Sequence, residues 1–301
     1  MINFSKRMWH LFNGACAMNQ INHQFTQSGL AATALHPYLG AEVSGVDLRY
    51  PLEISQQESI NSLLTKYKVL VFRDQDITRE MQIEFGRQFG ELEIYPTIYA
   101  SIPKYPEMLA VYNGAENRRT DTNRWHSDMT GIAEPTAAVI LRAIEVPDIG
   151  GDTLFADMAA AYRGLPEAIK ERIDNLIAVH DEVRFSQDSD EESKRIMAEN
   201  FPPQEHPIVI THPESGEKIL FVNAALTDHI KDMDRTEGDR LLAYLCAQAA
   251  VPEYQLRVRW RPNTVVFWDN ISTQHYASAD YWPAIRRLER IAIAKMKRHR
   301  Q

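Results

Sequence analysis

Apolar spacing divides the chain into a mixed first third and a strand-rich remainder. Ala41 to Leu48, with apolar residues at 41, 43, 46 and 48, reads as a first strand. Ser55-Gln-Gln-Glu58 has the spacing of a capping box and predicts a helix running towards Tyr67. Lys68-Val-Leu-Val-Phe-Arg73 is a compact β-branched and aromatic run, the pattern of a buried strand. Thr78 then opens a predicted helix with Met81, Phe85 and Phe89 on one stripe.

Beyond residue 108 strand patterns dominate. Candidates are 108–112, 137–145, 176–181, 207–212, 218–222, 255–260, 264–268 and 289–296. Pro213-Glu-Ser-Gly216 between two of them predicts a hairpin turn. Two helices interrupt the strands, over 165–175 and 236–250, the second turning Leu241, Leu242, Leu245 and Ala249 inwards. Many late strands with helices early and as inserts predict a mainly β fold with flanking helices (α+β): a sandwich or jelly roll, that is, a double-stranded β-helix core. Residues 1–30 read as an extension of little order, with a working start near Met18, and 31–301 as one domain without repeats or linkers. Segment 186–205 is polar, acidic and Pro-bearing, and reads as a surface excursion or a lid.

Composition narrows the classes. The 301 residues are 44% hydrophobic and 25% charged, an ordinary globular balance. The net charge is −8 and no basic stripe precedes the last dozen residues, which speaks against a nucleic-acid binder. No apolar run approaches the roughly 18 residues of a membrane span. Near the N-terminus, Lys6 and Arg7 precede a short apolar run, but His10, Asn13 and Gly14 break it, so a secretion signal is not the expected reading. Cys16 and Cys246 fit neither a metal finger nor a disulfide framework, and a reducing, cytoplasmic setting is the simplest expectation.

Candidate chemistry centres on Trp125-His126-Ser127-Asp128. In extended backbone, residues i and i+2 point to the same face, so one imidazole and one carboxylate can share a metal ion. With a second His this makes the two-His-one-carboxylate set that holds non-haem iron(II) and leaves positions open. The pair alone is weak. Ten His and 41 acids in 301 residues give about 1.4 such pairs by chance, and His180/Glu182 and His212/Glu214 share the spacing. Both of those read as structural, at a strand end and at a hairpin. The first pair gains weight downstream, where Phe267-Trp268-Asp269-Asn270 leads into Thr273-Gln274-His275. Arg286 follows eleven residues later and Arg290 four after that, near the last core strand. Buried arginine is costly unless paired, and its fork suits a carboxylate. These residues leave open a cupin-like isomerase or hydrolase using the same His/Asp/His set, and a non-enzymatic binding protein.

WHSDMT, LRAIEVPDIGGDTLF, HPIVITHPESGEKILFVN and RVRWRPNTVVFWDNISTQHYASADYWP…RRLER together resemble the TauD/TfdA family of iron(II)/2-oxoglutarate-dependent dioxygenases, in order over about residues 33–295. The resemblance implies His126, Asp128 and His275 as catalytic iron ligands. It implies Thr153 and Arg286 as the partners of the distal carboxylate of 2-oxoglutarate, and Arg290 as a partner of the acidic group of the substrate. It implies Fe(II), 2-oxoglutarate and O2 as the cofactor and cosubstrates, a small organic acid as the substrate, and a homo-oligomer, dimer or tetramer. Members that act on taurine carry a His where this chain has Tyr95, before Pro96, and an Asn where it has Thr122. Those two differences at substrate-binding positions point away from taurine, towards another sulfonate, a sulfate ester or an aryloxy carboxylate.

Overall fold

A computed structural model describes residues 23–26, 28–94, 101–114, 123–186 and 190–297. The first part runs β1 (His23–Phe25), β2 (Ala31–Ala34), β3 (Ala41–Ser44), α1 (Ile54–Tyr67), β4 (Val69–Phe72), α2 (Arg79–Phe89), β5 (Gly90–Leu92), β6 (Ser101–Ile102), β7 (Tyr105–Asn113) and β8 (Ala138–Glu145). Then come β9 (Thr153–Asp157), α3 (Met158–Gly164), α4 (Glu167–Ile173), β10 (Ile177–His180), α5 (Glu191–Asn200), β11 (Gln204–Pro207), β12 (Val209–Thr211), β13 (Lys218–Leu220) and β14 (Thr227–Ile230). The chain ends with α6 (Arg235–Cys246), β15 (Gln255–Val258), β16 (Val265–Asp269), β17 (Thr273–Ala277) and β18 (Arg286–Met296).

One large sheet has the order β1-β2-β3-β4-β16-β8-β18-β7-β6, with β5 also pairing β18. Its central strands are apolar on both faces, so both must be covered. On one face Leu70, Phe72, Ile140, Phe267, Ile291 and Ile293 meet Ile60 and Leu63 of α1 and Phe85 and Phe89 of α2. There α2 sits so close to β18 that a Cβ on Gly86 would come within 2.6 Å of Ile291 Cδ1. On the other face Val71, Val139, Leu141, Val266, Trp268 and Leu288 meet Phe155, Leu256 and Val258 of the small sheet β15-β9-β17. Each fully buried side chain of this size stabilises the fold by roughly 1.5–3 kcal/mol. The two facing sheets make the jelly-roll core, and α1 and α2 are its buttress. A third cluster, including Ile173, Ile208, Ile219, Leu241 and Leu245, packs α3, α4 and α6 onto the smaller strands. Among the described residues no helix is long and apolar enough to cross a membrane.

Several local expectations shift. The capping box of α1 is Glu53 with Gln56, two residues ahead of Ser55 and Glu58. Tertiary bonds decide this: Leu52 N–H donates to Gln88 Oε1 and Gln57 Nε2 donates to Leu52 O, pinning the entry earlier. The strand from Ala41 stops at Ser44, because Gly45 has φ +84° and a Cβ there would lie 2.9 Å from Gly29 O. Pairing begins at His23↔Thr33, inside the stretch read as an extension. Segment 186–205 contains α5, capped by Asp190 accepting from Ser193 N–H, and the first two residues of β11, paired to β10. Arg195 ties Glu192 and Glu199 along α5, a helical i,i+3/i+4 signature in this polar segment. The strand readings also missed β9 and β17, which carry Thr153 and His275.

Candidate active site

The site is built where β17 meets the segment after Asn123. His126 and His275 form an antiparallel bridge, with His126 N–H donating to His275 O at 3.1 Å and His275 N–H to His126 O at 2.7 Å. Ser127 Oγ donates to Thr273 O, so its side chain points away while those of His126 and Asp128 point together. Asn270, fully buried, locks the next residue. Its Oδ1 accepts Asp128 N–H at 2.9 Å and its Nδ2 donates to Asp128 O and Thr136 O. The polar end of the Phe267–Asn270 run thus acts as a clamp.

Donor atoms of His126, Asp128 and His275 lie within 4.8 Å of one another. His126 Nε2 is 3.9 Å from Asp128 Oδ1, and His275 Nε2 is 4.0 Å from Asp128 Oδ2. A carbonyl oxygen can only accept, so His126 Nδ1, 2.7 Å from Arg124 O, carries the proton and Nε2 keeps its lone pair for a metal. Burial holds both imidazoles below their ordinary pKa, with His275 at about 3 and neighbouring His126 adding to the effect. Burial alone would raise Asp128, but Arg290 and the two imidazoles overcome it and hold the carboxyl below its ordinary value. Two neutral imidazoles and one carboxylate are the donor set that suits iron(II). Trp268, Phe155 and Phe185 wall the histidines, with Trp268 5.2 Å from the His275 ring and Phe185 5.0 Å from that of His126.

Register places the arginine clasp. His275 pairs with Phe155 and Ala277 with Thr153, so the Thr153 and His275 side chains share one face of the small sheet. On β18 the same period sends Arg286, Leu288 and Arg290 inwards and Glu289 outwards. Arg286, 3% exposed, donates from Nε to Gly151 O and from Nη2 to Thr153 Oγ1. Burial lowers its pKa, and among the described residues no carboxylate forms an ion pair with it. Arg290 Nη2 lies 3.0 Å from Asp128 Oδ2. Glu289 pairs instead with Arg142 and Arg79 beneath α2.

The other H-x-acid pairs stand apart from this cluster. His180 Nδ1 is 3.0 Å from Thr130 Oγ1, and His212 Nε2 is 2.7 Å from Asp269 Oδ2. Glu182 accepts Gly131 N–H and, being buried, is pushed up to about 7. Tyr95 and Thr122 lie outside the described residues. Sequence reasoning passed over Asn270 and Trp260 as site-shaping groups. Their only signal was a polar or aromatic residue at the end of an apolar strand, which many core strands share.

A jelly roll that gathers two histidines and a carboxylate beside a buried arginine presents the fold and donor set that suit a non-haem metal enzyme. The comparisons agree. The chain belongs to the taurine catabolism dioxygenase TauD, TfdA family, whose model matches residues 31–292. It is 34% identical over 272 residues to the alpha-ketoglutarate-dependent sulfate ester dioxygenase of Pseudomonas putida, covering 86% of this chain and 89% of the relative. It is 34% identical over 264 residues to the alpha-ketoglutarate-dependent 2,4-dichlorophenoxyacetate dioxygenase of Cupriavidus pinatubonensis, covering 82% and 91%. A solved taurine dioxygenase from Burkholderia xenovorans has a TM-score of 0.77 at 30% identity, covering 88% of this chain and 89% of that one. The structure of AAD-2 with Mn(II) and N-oxalylglycine has a TM-score of 0.75 at 30% identity, covering 90% and 100%. These relatives favour an oxidoreductase over the isomerase or hydrolase alternative.

Proposed function

We propose that this chain is an Fe(II)- and 2-oxoglutarate-dependent dioxygenase that oxidises a small organic acid, with a sulfate ester, a sulfonate or an aryloxyalkanoate as the substrate class. The observation that carries the reading is the buried Arg286, without a carboxylate partner among the described residues, on the same inner surface as His126, Asp128 and His275. Names of the relatives support the class of acid. The set fits iron because the imidazoles are neutral and His126 Nε2 is left unprotonated.

Bound Fe(II) would supply the electrons that activate O2 while 2-oxoglutarate is oxidised to succinate and CO2, the second oxygen atom hydroxylating the substrate. The remaining work falls to this chain. His126, Asp128 and His275 hold the metal, with Arg124 O and Asn270 setting their directions. Arg286 and Thr153 bind the distal carboxylate of 2-oxoglutarate through charge-assisted bonds. Arg290 turns from Asp128 towards the acidic group of the substrate. The resemblance assigns Tyr95 and Thr122 to substrate binding, and a phenol ring in place of a basic imidazole favours a more apolar acid than taurine. Trp268, Phe155 and Phe185 keep water from the reacting carbon. We assign to segment 186–205 the part of a lid. The working unit is residues 31–301, a cytoplasmic dimer or tetramer.

The test is anaerobic addition of 2-oxoglutarate to the Fe(II)-loaded protein, which should produce a visible charge-transfer band. Under O2, succinate release should rise with an alkyl sulfate ester or 2,4-dichlorophenoxyacetate more than with taurine. No band, and no succinate with any acid, would refute the proposal.

A further inference from the structure

The hydrogen bonds of Thr153 can be counted and given directions. A threonine hydroxyl has one proton to donate and two lone pairs to accept with. Trp260 Nε1–H, which can only donate, reaches Thr153 Oγ1 at 2.9 Å. Arg286 Nη2–H, also only a donor, reaches the same oxygen at 3.1 Å. Both lone pairs are thereby used, and the single O–H must point away from both donors. Thr153 is 2% exposed and Trp260 4%, so water has little access to either.

Trp260 touches the clasp a second time. The Arg286 Cζ lies 5.9 Å from its ring centroid, within range of a cation–π contact. Nε–H of Arg286 is fixed on Gly151 O at 2.9 Å, so the guanidinium, the hydroxyl and the indole form one linked set. Of the three, the indole is the member whose polar atom is wholly spent on another side chain.

We infer that Trp260 is a positioning residue for the oxo-acid cosubstrate: by filling an acceptor site on Thr153 it commits that hydroxyl to act as a donor to the distal carboxylate. This rests on the reading of Thr153 and Arg286 as the 2-oxoglutarate clasp. It also makes Trp260 a determinant of choice between oxo acids. A far carboxylate gains from a committed donor, whereas a methyl group at the same place gains nothing.

Trp260→Phe keeps an aromatic ring near Arg286 and removes the N–H together with part of the indole bicycle. Trp260→Tyr, which lacks the donor at that place, serves as a second variant should the first fold poorly. Fe(II)-loaded protein is titrated anaerobically with 2-oxoglutarate and, separately, with 2-oxopentanoate, which has a methyl in place of the far carboxylate. Binding is read from the charge-transfer band and by calorimetry, without turnover. Loss of the N–H should weaken 2-oxoglutarate about tenfold, equivalent to about 1.4 kcal/mol, and 2-oxopentanoate by less than about twofold. Thr153→Val should weaken 2-oxoglutarate more, and adding Trp260→Phe to it should change little further. Unchanged 2-oxoglutarate binding, equal weakening of both oxo acids, or full additivity with Thr153→Val each overturns the inference. Wild-type protein that binds neither oxo acid overturns the clasp reading itself.

Discussion

Asn270 offers a way to perturb the metal ligands without touching one. Its amide makes three hydrogen bonds of 2.8–2.9 Å, two of them to the backbone of Asp128 and one to Thr136 O, and the residue is fully buried. Asn270→Ala removes all three and leaves three peptide groups short of a partner. At a net ~1 kcal/mol per bond the metal-free protein loses about 3 kcal/mol. For a chain of this length that lowers Tm by about 5 °C. Asp128 is then no longer held towards the two imidazoles, and loss of such a supporting partner weakens metal binding about 10–100-fold. Asn270→Asp should be worse than Ala, because a carboxylate oxygen replaces the amide that donates to Asp128 O and Thr136 O. The assay is Co(II) binding by anaerobic calorimetry, alongside thermal unfolding of the metal-free protein. A variant that loses stability yet binds Co(II) as tightly as wild type would refute the clamp. So would an Asp variant indistinguishable from wild type.

Three further outcomes are expected. Arg286→Gln should raise the 2-oxoglutarate requirement at least 30-fold with a smaller effect on the substrate, corresponding to about 2 kcal/mol or more for a buried charge pair, while Arg290→Gln does the reverse; equal effects in steady-state kinetics would sink this division of labour. Glu289→Ala leaves the 7%-exposed Arg142 without its carboxylate and should cost about 3–5 kcal/mol in chemical denaturation, while 2-oxoglutarate binding by the folded variant stays close to wild type because Glu289 faces α2. Glu182 has a folded pKa raised by burial to about 7 against an ordinary 4.5, so the native state keeps its proton longer; its contribution is fully present below about pH 4.5 and is lost as pH rises towards 7, of the order of 3 kcal/mol in the metal-free protein. Glu182→Gln should flatten that fall in a pH series of denaturation midpoints, and an unchanged slope counts against the buried proton.

Much of the architecture was legible because local pattern and tertiary burial agreed. The Val69–Phe72 run is apolar at every position and becomes a strand covered on both faces. Thr78 caps α2, accepting from Met81 N–H, and the Phe85–Phe89 stripe packs on Phe267. The β17 strand escaped notice for the opposite reason: Thr273-Gln-His-Tyr-Ala277 has no apolar alternation, since its side chains serve a metal site and a polar network.

Sequence by itself determined that His126 and Asp128 share a face, that Arg286 and Arg290 lie one helical turn or two strand repeats apart, and that a mainly β core had to hold them. Only the tertiary structure separated His126/Asp128 from the two other pairs of equal spacing, because among the described residues only that pair converges with a second histidine on one candidate metal position. It also decided that Arg290 and its neighbour Glu289 serve opposite faces of β18, and that a core tryptophan reaches the hydroxyl of Thr153. Spacing along a chain fixes the direction of side chains within one strand. Which strands then face each other depends on long-range pairing, and that is where a metal site and a carboxylate clasp are assembled.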